Sequence, residues 1–237
     1  EMNRCRSMVT IQAQALAQQG LGTLVIDLYG TGESDGEYVD ARWDVWLEDI
    51  QRATDWLDGQ PGGCVALLGI RLGFPLAVSA LENDKTPRAL VAWQPVIDGK
   101  TYFTQFMRMK IAANMDRTDI PKETSSSMRA QLASGNSIEI AGYEIHPELG
   151  MALDNLKLAD LLPPETSKIA WLEKAGGTEN LLSPASAKLL ETWQLAGKAT
   201  DAMLFDGPAF WALHDRFLAP DLVTKTSEWF QQLRPGK

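Results

Sequence analysis

The sequence contains little cysteine and histidine, and it has no long apolar run. Of its 237 residues only two are cysteines, Cys5 and Cys64, and only two are histidines. Two cysteines do not indicate a disulfide framework, and they fit a reducing compartment such as the cytoplasm. No segment reaches the roughly 18 apolar residues that a membrane-spanning helix needs. We therefore expect a cytoplasmic protein without a membrane span.

Sequence motifs for metals and cofactors are also missing. No HExxH, CxxC or paired cluster of His and Asp residues indicates a metal site. Gly30, Gly32 and Gly36 have the spacing G-x-G-x-x-x-G, and no helical pattern opens directly behind them. A dinucleotide-binding turn is therefore poorly supported. We expect neither a metal nor a cofactor.

The charge balance is acidic. The chain has 31 acidic and 22 basic residues, and its formal net charge at pH 7 is −9. Such a surface repels phosphate backbones and anionic lipids, so nucleic acid is not an expected partner. Hydrophobic residues make up 45% of the chain, which is enough to bury the core of one large domain.

Apolar runs alternate with helical patterns along most of the chain. Short runs at 23–29, 64–68, 89–93, 169–173 and 202–205 have the composition of buried strands. Their alternation with helices predicts an α/β fold with a doubly wound, mostly parallel sheet. Residues 1–97 and 165–237 are expected to form the core, and residues 98–164 a helical, lid-like insertion within one domain. Functional loops should lie at the carboxyl ends of the strands.

The turn after the second of these runs indicates a particular architecture. A strand, the sequence G-x-S-x-G and a helix together form the nucleophile elbow of α/β hydrolases, in which the glycines permit a sharp turn. Here the turn runs from Gly69 to Gly73, and its central residue is Arg71. A guanidinium stays protonated and has no lone pair to offer, so it cannot attack a carbonyl.

Two interpretations of Arg71 stay open at this point. In the first, the glycines merely permit a tight crossing, and Arg71 is solvated or pairs with an acid such as Asp27 or Asp98. In the second, Arg71 lies at a helix N-terminus, which favours anions, and its guanidinium recognises a carboxylate or phosphate. The predicted ligand-binding residues of this second interpretation are Arg71, Leu72, Tyr29 and Lys100.

Candidates for the other members of a catalytic triad follow from their places after the strands. In α/β hydrolases the acid follows a late strand and the histidine follows the last strand. Glu173 and Glu179 come with or after the strand that begins near residue 169, Asp98 follows an earlier strand, and His214 follows the last one. The candidate catalytic residues are therefore His214, Glu179 and Asp98. Ser34 is an alternative nucleophile, although a serine in such a loop usually stabilises a turn.

Several further motifs resemble one family. The segments are EMNRCR at 1–6, IDLYGTGES at 26–34, WQPV at 93–96, GK at 99–100, QFMR at 105–108 and EIAGY at 139–143. Together with the Gly-Ile-Arg-Leu-Gly turn, they resemble the hydrolase 2 family of the exosortase A system, within the α/β-hydrolase superfamily. The resemblance extends over nearly the whole chain.

This resemblance carries several implications. It implies the α/β-hydrolase fold and a cytoplasmic protein of bacteria that make exopolysaccharide and sort proteins with a C-terminal PEP motif. It also implies a second hydrolase encoded nearby. Family members begin earlier, with a strand and a His-Pro-Phe loop, so N-terminal strands and one oxyanion-hole amide are expected to be missing from this sequence.

Three functional hypotheses follow from these observations. The protein binds an anionic metabolite or glycan intermediate without Ser-His-Asp chemistry, or it is an esterase or acyl-transfer enzyme with an unconventional nucleophile. In the third hypothesis it is a non-catalytic partner of the neighbouring hydrolase.

Overall fold

The computed structural model describes residues 2–117, 119, 121–176, 181–212 and 215–233. The helices are α1 (Met2–Gln18), α2 (Trp43–Asp58), α3 (Gly73–Ala80), α4 (Gly99–Ala113), α5 (Ser125–Ala133), α6 (Pro147–Asn155), α7 (Pro184–Leu195) and α8 (Pro220–Leu233). The strands are β1 (Ala66–Ile70), β2 (Ala89–Trp93), β3 (Ile138–Ile140), β4 (Tyr143–Ile145), β5 (Lys168–Lys174) and β6 (Ala199–Phe205). Short 3-10 turns lie at Tyr38–Asp40 and Leu158–Asp160.

The chain divides into two compact units. The sheet unit consists of residues 1–25, 62–95 and 162–237, and the helical unit of residues 26–61 and 96–161. The second stretch of the helical unit covers most of the predicted insertion at 98–164. The role of that insertion as a lid stays a prediction.

The sheet unit contains a four-stranded parallel sheet in the order β1-β2-β5-β6. Parallel strands need crossover connections, and α3 and α7 supply two of them. Every residue of β2 is buried, which agrees with its unbroken apolar sequence. The predicted parallel sheet flanked by helices is therefore present.

Helices cover both faces of this sheet. On one face α1 and α8 pack over Val91, Trp93 and Leu172, and the Trp93 indole donates a hydrogen bond of 2.9 Å to the Thr226 hydroxyl. On the other face Phe74 of α3, Trp171 of β5 and Trp193 of α7 contact one another, with edge-on geometry at Trp171. Aromatic groups of this size contribute much of the burial that stabilises a sheet of four strands.

One predicted strand has no counterpart. Residues 21–28 have no regular secondary structure, and they form no strand pairing with any part of the chain that the structure describes. The side chains of Leu24, Val25 and Ile26 are all exposed. An apolar run becomes a strand only when a neighbouring strand satisfies its backbone groups, and composition alone does not supply that neighbour.

Ion pairs and a tight hairpin hold the helical unit together. Arg129 of α5 donates to both carboxylate oxygens of Asp154 of α6, at 2.7–2.9 Å. Strands β3 and β4 form an antiparallel hairpin closed by Ala141 and Gly142, whose φ angles are +52° and +83°. A two-residue turn with both φ values positive matches the twist of the flanking strands.

A buried ion pair lies near the amino ends of β1 and β2. Arg88 is 4% exposed, and its Nε donates to Asp84 at 2.6 Å while its Nη1 donates to the carbonyl of Cys64 at 2.6 Å. Burial by itself raises the pKa of Asp84, but hydrogen bonds from Arg88 and Thr86 outweigh it, and the net pKa is lowered. Removing one partner of such a pair leaves an uncompensated charge in a poorly hydrated place.

We predict that Arg88→Met lowers the free energy of unfolding at pH 7 by about 3 kcal/mol. The folded pKa of Asp84 lies below its unfolded value, so its contribution is present above about pH 4 and is lost as the pH falls through the folded pKa. The difference between variant and wild type should therefore shrink in acid. Urea unfolding at several pH values measures it.

The matched control is Arg52→Met. Arg52 also pairs with an acid four residues away, Glu48, but both side chains are mostly exposed. Such a surface pair is worth about 0.5 kcal/mol or less. Equal losses in the two variants would contradict the assignment of Arg88 as a buried structural charge.

Candidate functional site

The predicted elbow is present as a sharp turn between β1 and α3. Arg71 has a φ of +54°, in the left-handed region that residues with a side chain seldom occupy. A Cβ on Gly69 would lie only 2.3–2.4 Å from the backbone of Phe74, so strand and helix approach too closely for a side chain there. Gly73 has nothing within 4 Å of that position. A side-chain-bearing residue in this backbone conformation costs about 1–3 kcal/mol, and such strained residues are typical of functional turns.

Arg71 is anchored at the carboxyl edge of the sheet. Its amide donates to the carbonyl of Trp93 at 3.0 Å, and its Nη1 donates to the carbonyl of Gln94 at 3.0 Å. The guanidinium carbon lies 5.5 Å from the centre of the Trp211 ring, a cation–π arrangement. The half-buried side chain therefore holds a permanent positive charge directly above β2.

Gln94 follows the end of β2, and its hydrogen bonds connect it to the ends of β1 and β5. Its amide donates to the carbonyl of Leu172 at 2.8 Å, and its Oε1 accepts from the amide of Lys174 at 2.7 Å. Its own carbonyl accepts from Arg71, and its φ is +44°. The sequence predicts no binding role for Gln94, which appears only within the motif WQPV at 93–96. The one available signal was its place directly after the fully apolar strand β2 and before a proline.

Leu72 occupies the position that its place in the turn predicts. It is the N-cap residue of α3, with a φ of −62°, and it is half-buried. The carbonyl of Arg71 accepts from the amide of Phe74 at 3.3 Å, which closes the first turn of the helix. The amino end of α3 therefore begins beside the Arg71 charge, and both favour a negative group.

The remaining predicted binding residues lie in the helical unit. The Tyr29 amide donates to Asp49 at 2.8 Å, its carbonyl accepts from the indole of Trp46 at 3.0 Å, and its ring packs closely on Gly36. Lys100 is exposed in the first turn of α4. Arg71 and Leu72 belong to the sheet unit and Tyr29 and Lys100 to the helical unit, and their joint role in binding stays a prediction.

Asp98 acts as a helix cap. Its Oδ1 accepts from the amide of Thr101 at 2.6 Å, at the start of α4. The hydrogen bonds with Thr101, together with the charges of Lys157 and Lys100, hold the pKa of Asp98 below its usual value despite partial burial. Its predicted role as a catalytic acid stays a prediction, but the contacts that the structure shows are those of a cap.

The other two candidate catalytic residues, His214 and Glu179, lie outside the described residues, so their roles also stay predictions. Glu173, near the end of β5, is 5% exposed. Its carboxylate accepts from the indole of Trp171 at 3.2 Å, from the amide of Ser183 at 2.9 Å and from the hydroxyl of Ser186. Ser183 caps α7, so this carboxylate binds the end of β5 to the start of that helix. In the sequence, the sign of this buried role is the acidic Glu173 directly after the apolar residues 169–172.

The glycine-rich loop that contains Ser34 is held by its own backbone and by an acid. Asp27 accepts from the amide of Glu33 at 3.0 Å, and a Cβ on Gly32 would collide with the Asp27 carboxylate. The amide of Ser34 donates to the carbonyl of Thr31 at 3.0 Å. These are the contacts of a tight turn, in which serine is a common residue.

In the described part of the chain, no group of three or more His, Cys, Asp or Glu residues is arranged to hold a metal ion. No described helix is both long enough and apolar enough to cross a membrane.

Solved structures of several hydrolases are similar to this chain. Est1E from Butyrivibrio proteoclasticus, solved with ferulic acid bound, has a TM-score of 0.64 and 17% sequence identity over 94% of this chain and 81% of its own. A monoacylglycerol lipase from Paleococcus ferrophilus has a TM-score of 0.58 and 16% identity over 97% of this chain and 89% of its own. An esterase from Pyrococcus furiosus has a TM-score of 0.58 and 13% identity over 92% of this chain and 72% of its own.

Sequence comparison adds nothing to these structural likenesses. No protein-family profile matches the chain, and no curated protein matches it. The structural likenesses and the parallel sheet establish the α/β-hydrolase fold, which confirms the predicted fold class. Because identities are so low, they establish the fold and no reaction.

We predict that Gly69→Ala lowers the free energy of unfolding by about 3 kcal/mol, because its Cβ meets the fixed backbone of Phe74. Gly73→Ala is the matched control in the same turn and should be close to neutral, since that position is open. Urea unfolding of both variants measures the difference. Comparable losses would show that strand β1 and helix α3 are not packed in this way.

We also predict that Asp98→Ala lowers stability by about 1 kcal/mol and that Asp98→Asn loses less than about half of that. Asparagine keeps a side-chain oxygen for the Thr101 amide, whereas alanine removes it. Thermal unfolding measures both variants. If Asp98→Asn loses as much stability as Asp98→Ala, the capping assignment is wrong.

Proposed function

We propose that this α/β-hydrolase-fold protein belongs to the exosortase/PEP-CTERM system of exopolysaccharide-producing bacteria and binds an anionic metabolite or glycan intermediate rather than performing Ser-His-Asp hydrolysis. The observation that carries the proposal is the position of Arg71. This residue occupies the left-handed centre of the turn between β1 and α3, where the fold otherwise presents a nucleophile.

The chemistry of the guanidinium supports binding over attack. It has no nucleophilic lone pair, but it carries a permanent charge and planar N–H donors that match carboxylate and phosphate oxygens. Its half-buried place beside the Trp211 ring reduces screening by water, which strengthens its attraction for an anion. The amino end of α3 adds partial positive charge at the same point.

Further residues extend the proposed site. Lys174 ends β5 at the same carboxyl edge of the sheet as Arg71, its amide donates to Gln94 Oε1, and its Nζ donates to the carbonyl of Ala175. Leu72 would contribute the amide at the helix start, and the binding roles of Tyr29 and Lys100 stay predictions from the sequence. Est1E, which has the same fold, was solved with ferulic acid bound, and an acid is the class of ligand proposed here.

The exosortase context rests on the sequence motifs, chiefly WQPV at 93–96 and EIAGY at 139–143. It would place the protein in the cytoplasm, where the sugar precursors of exopolysaccharides are made. Acidic sugars carry carboxylate or phosphate groups, so they fit the charge of Arg71.

We predict that Arg71→Ala weakens the binding of an acidic sugar by about 10- to 100-fold, the usual effect of losing hydrogen bonds to a charged group. Isothermal titration calorimetry with glucuronate, glucose 6-phosphate and uncharged glucose measures it. Glucuronate tests a carboxylate ligand and the phosphate ester a phosphoryl ligand. Arg71→Lys should retain part of the affinity, since it keeps the charge but loses the planar fork.

Arg52→Ala, an exposed arginine of α2, serves as the control and should bind as the wild type does. Equal affinity in wild type and Arg71→Ala, or no preference for acidic sugars over glucose, would refute the proposal. Turnover of a panel of simple esters by the wild type that is lost in Ser34→Ala or His214→Ala would support the rival, an active hydrolase with an unconventional nucleophile.

A further inference from the structure

We propose that Gln94 is a positioning residue that holds the Arg71 guanidinium at the carboxyl edge of the sheet. This inference rests on the proposed function, since it names the residue that prepares Arg71 for an anionic ligand. Gln94 itself makes no contact with the ligand in this proposal. It acts through its backbone carbonyl, which accepts from Arg71 Nη1.

The backbone of Gln94 is in a conformation that its sequence disfavours. Its φ of +44° is in the left-handed region, which glycine, asparagine and aspartate occupy far more readily than glutamine. Pro95 follows it, and a proline pushes the preceding residue towards extended conformations. Local preference therefore opposes the observed geometry, and tertiary contacts must hold it in place.

Two hydrogen bonds from β5 provide those contacts. The Gln94 amide donates to the carbonyl of Leu172 at 2.8 Å, and its Oε1 accepts from the amide of Lys174 at 2.7 Å. Both partners belong to the regular strand β5, which is paired on both sides in the sheet. Strand β5 therefore fixes both the main chain and the side chain of Gln94.

The two hydrogen bonds to β5 fix the direction of the Gln94 carbonyl. In the left-handed conformation the carbonyl accepts from Arg71 Nη1 at 3.0 Å. If Gln94 relaxed to a negative φ, its peptide plane would turn and the carbonyl would leave the guanidinium. Arg71 would then keep its charge but lose one of the contacts that fix its orientation, so an anion would bind less tightly.

A merely structural role for the same hydrogen bonds makes a different prediction. In that case the loss of the Oε1 acceptor would lower stability, but the folded protein would hold Arg71 and bind anions as before. Stability and ligand affinity must therefore be measured separately, and the variants must separate the side-chain acceptor from the backbone conformation.

We predict that Gln94→Met, which keeps the length of the side chain but removes the acceptor, weakens glucuronate binding about 10-fold in calorimetry. Gln94→Gly also removes the acceptor, but it permits a positive φ without strain, so affinity should fall less than about 3-fold. Gln131→Met is the control, because the Gln131 side chain also bonds to a backbone group, the Ser137 carbonyl, at an exposed position of α5.

A second readout needs no ligand. Nitrogen-15 NMR of the arginine side chains should show a slowly exchanging guanidinium signal that Arg71→Lys removes. That signal should persist in Gln94→Gly and in Gln94→Glu, which retains an acceptor, and it should broaden or exchange faster in Gln94→Met. If Gln94→Met does not fold, Gln94→Ala takes its place, because it also removes the acceptor and keeps a Cβ. A broadened or faster-exchanging signal in that variant supports the proposal, and an unchanged signal refutes it.

The two proposals fail in distinguishable ways. Binding unaffected by Arg71→Ala overturns the proposed function, while the NMR result still decides whether Gln94 orients Arg71. Binding lost in Arg71→Ala but unchanged in folded Gln94→Met, with an unchanged guanidinium signal, overturns the positioning role alone.

Discussion

The close approach of strand β1 to helix α3 is the constraint on which the candidate site depends. Gly69 permits that approach because any side chain there would overlap the backbone of Phe74. The turn between them is then so short that its central residue is forced to a φ of +54° and lifted to the edge of the sheet. The fold thus presents one side chain at this point, and its identity decides which chemistry the site can perform.

The residue presented is an arginine, and its surroundings are arranged to hold a cation. A carbonyl from Gln94 and the face of Trp211 contact the guanidinium, and strand β5 in turn fixes Gln94. Arg71 and Gln94 both have a left-handed backbone and lie next to each other in space. The hydrogen bond from Arg71 Nη1 to the Gln94 carbonyl joins them. Strained residues gathered at a strand edge are typical of functional sites, because packing elsewhere must maintain them. A binding role makes use of a fixed charge, whereas a nucleophilic role requires a lone pair that arginine lacks.

Local sequence patterns account for the fold more fully than for the contacts of the site. The glycines of the turn carry a strong local signal, because a sharp turn needs glycine. The apolar runs of β2 and β5 carry another, because these strands are buried over most of their length. The run at 23–29 carries the same signal and forms no strand among the described residues, since pairing depends on a neighbour that composition does not encode.

The contacts of the site lie beyond what local pattern shows. Gln94 and Trp211 are distant from Arg71 in sequence, and only the parallel register of β1 and β2 brings Gln94 to it. Asp98 was a reasonable candidate acid from its place after a strand, but the same place is also that of a helix cap, and only the hydrogen bond to Thr101 shows that it caps α4. Glu173 likewise has a buried role that depends on Ser183 and Ser186 of a later helix.

The most direct test of the central claim is a crystal structure of the protein with glucuronate bound. Our account predicts a carboxylate oxygen of the sugar acid within about 3 Å of the Arg71 guanidinium, at the carboxyl edge of the sheet. A sugar acid bound away from Arg71, or a serine hydroxyl paired with an imidazole beside the ligand, would contradict it.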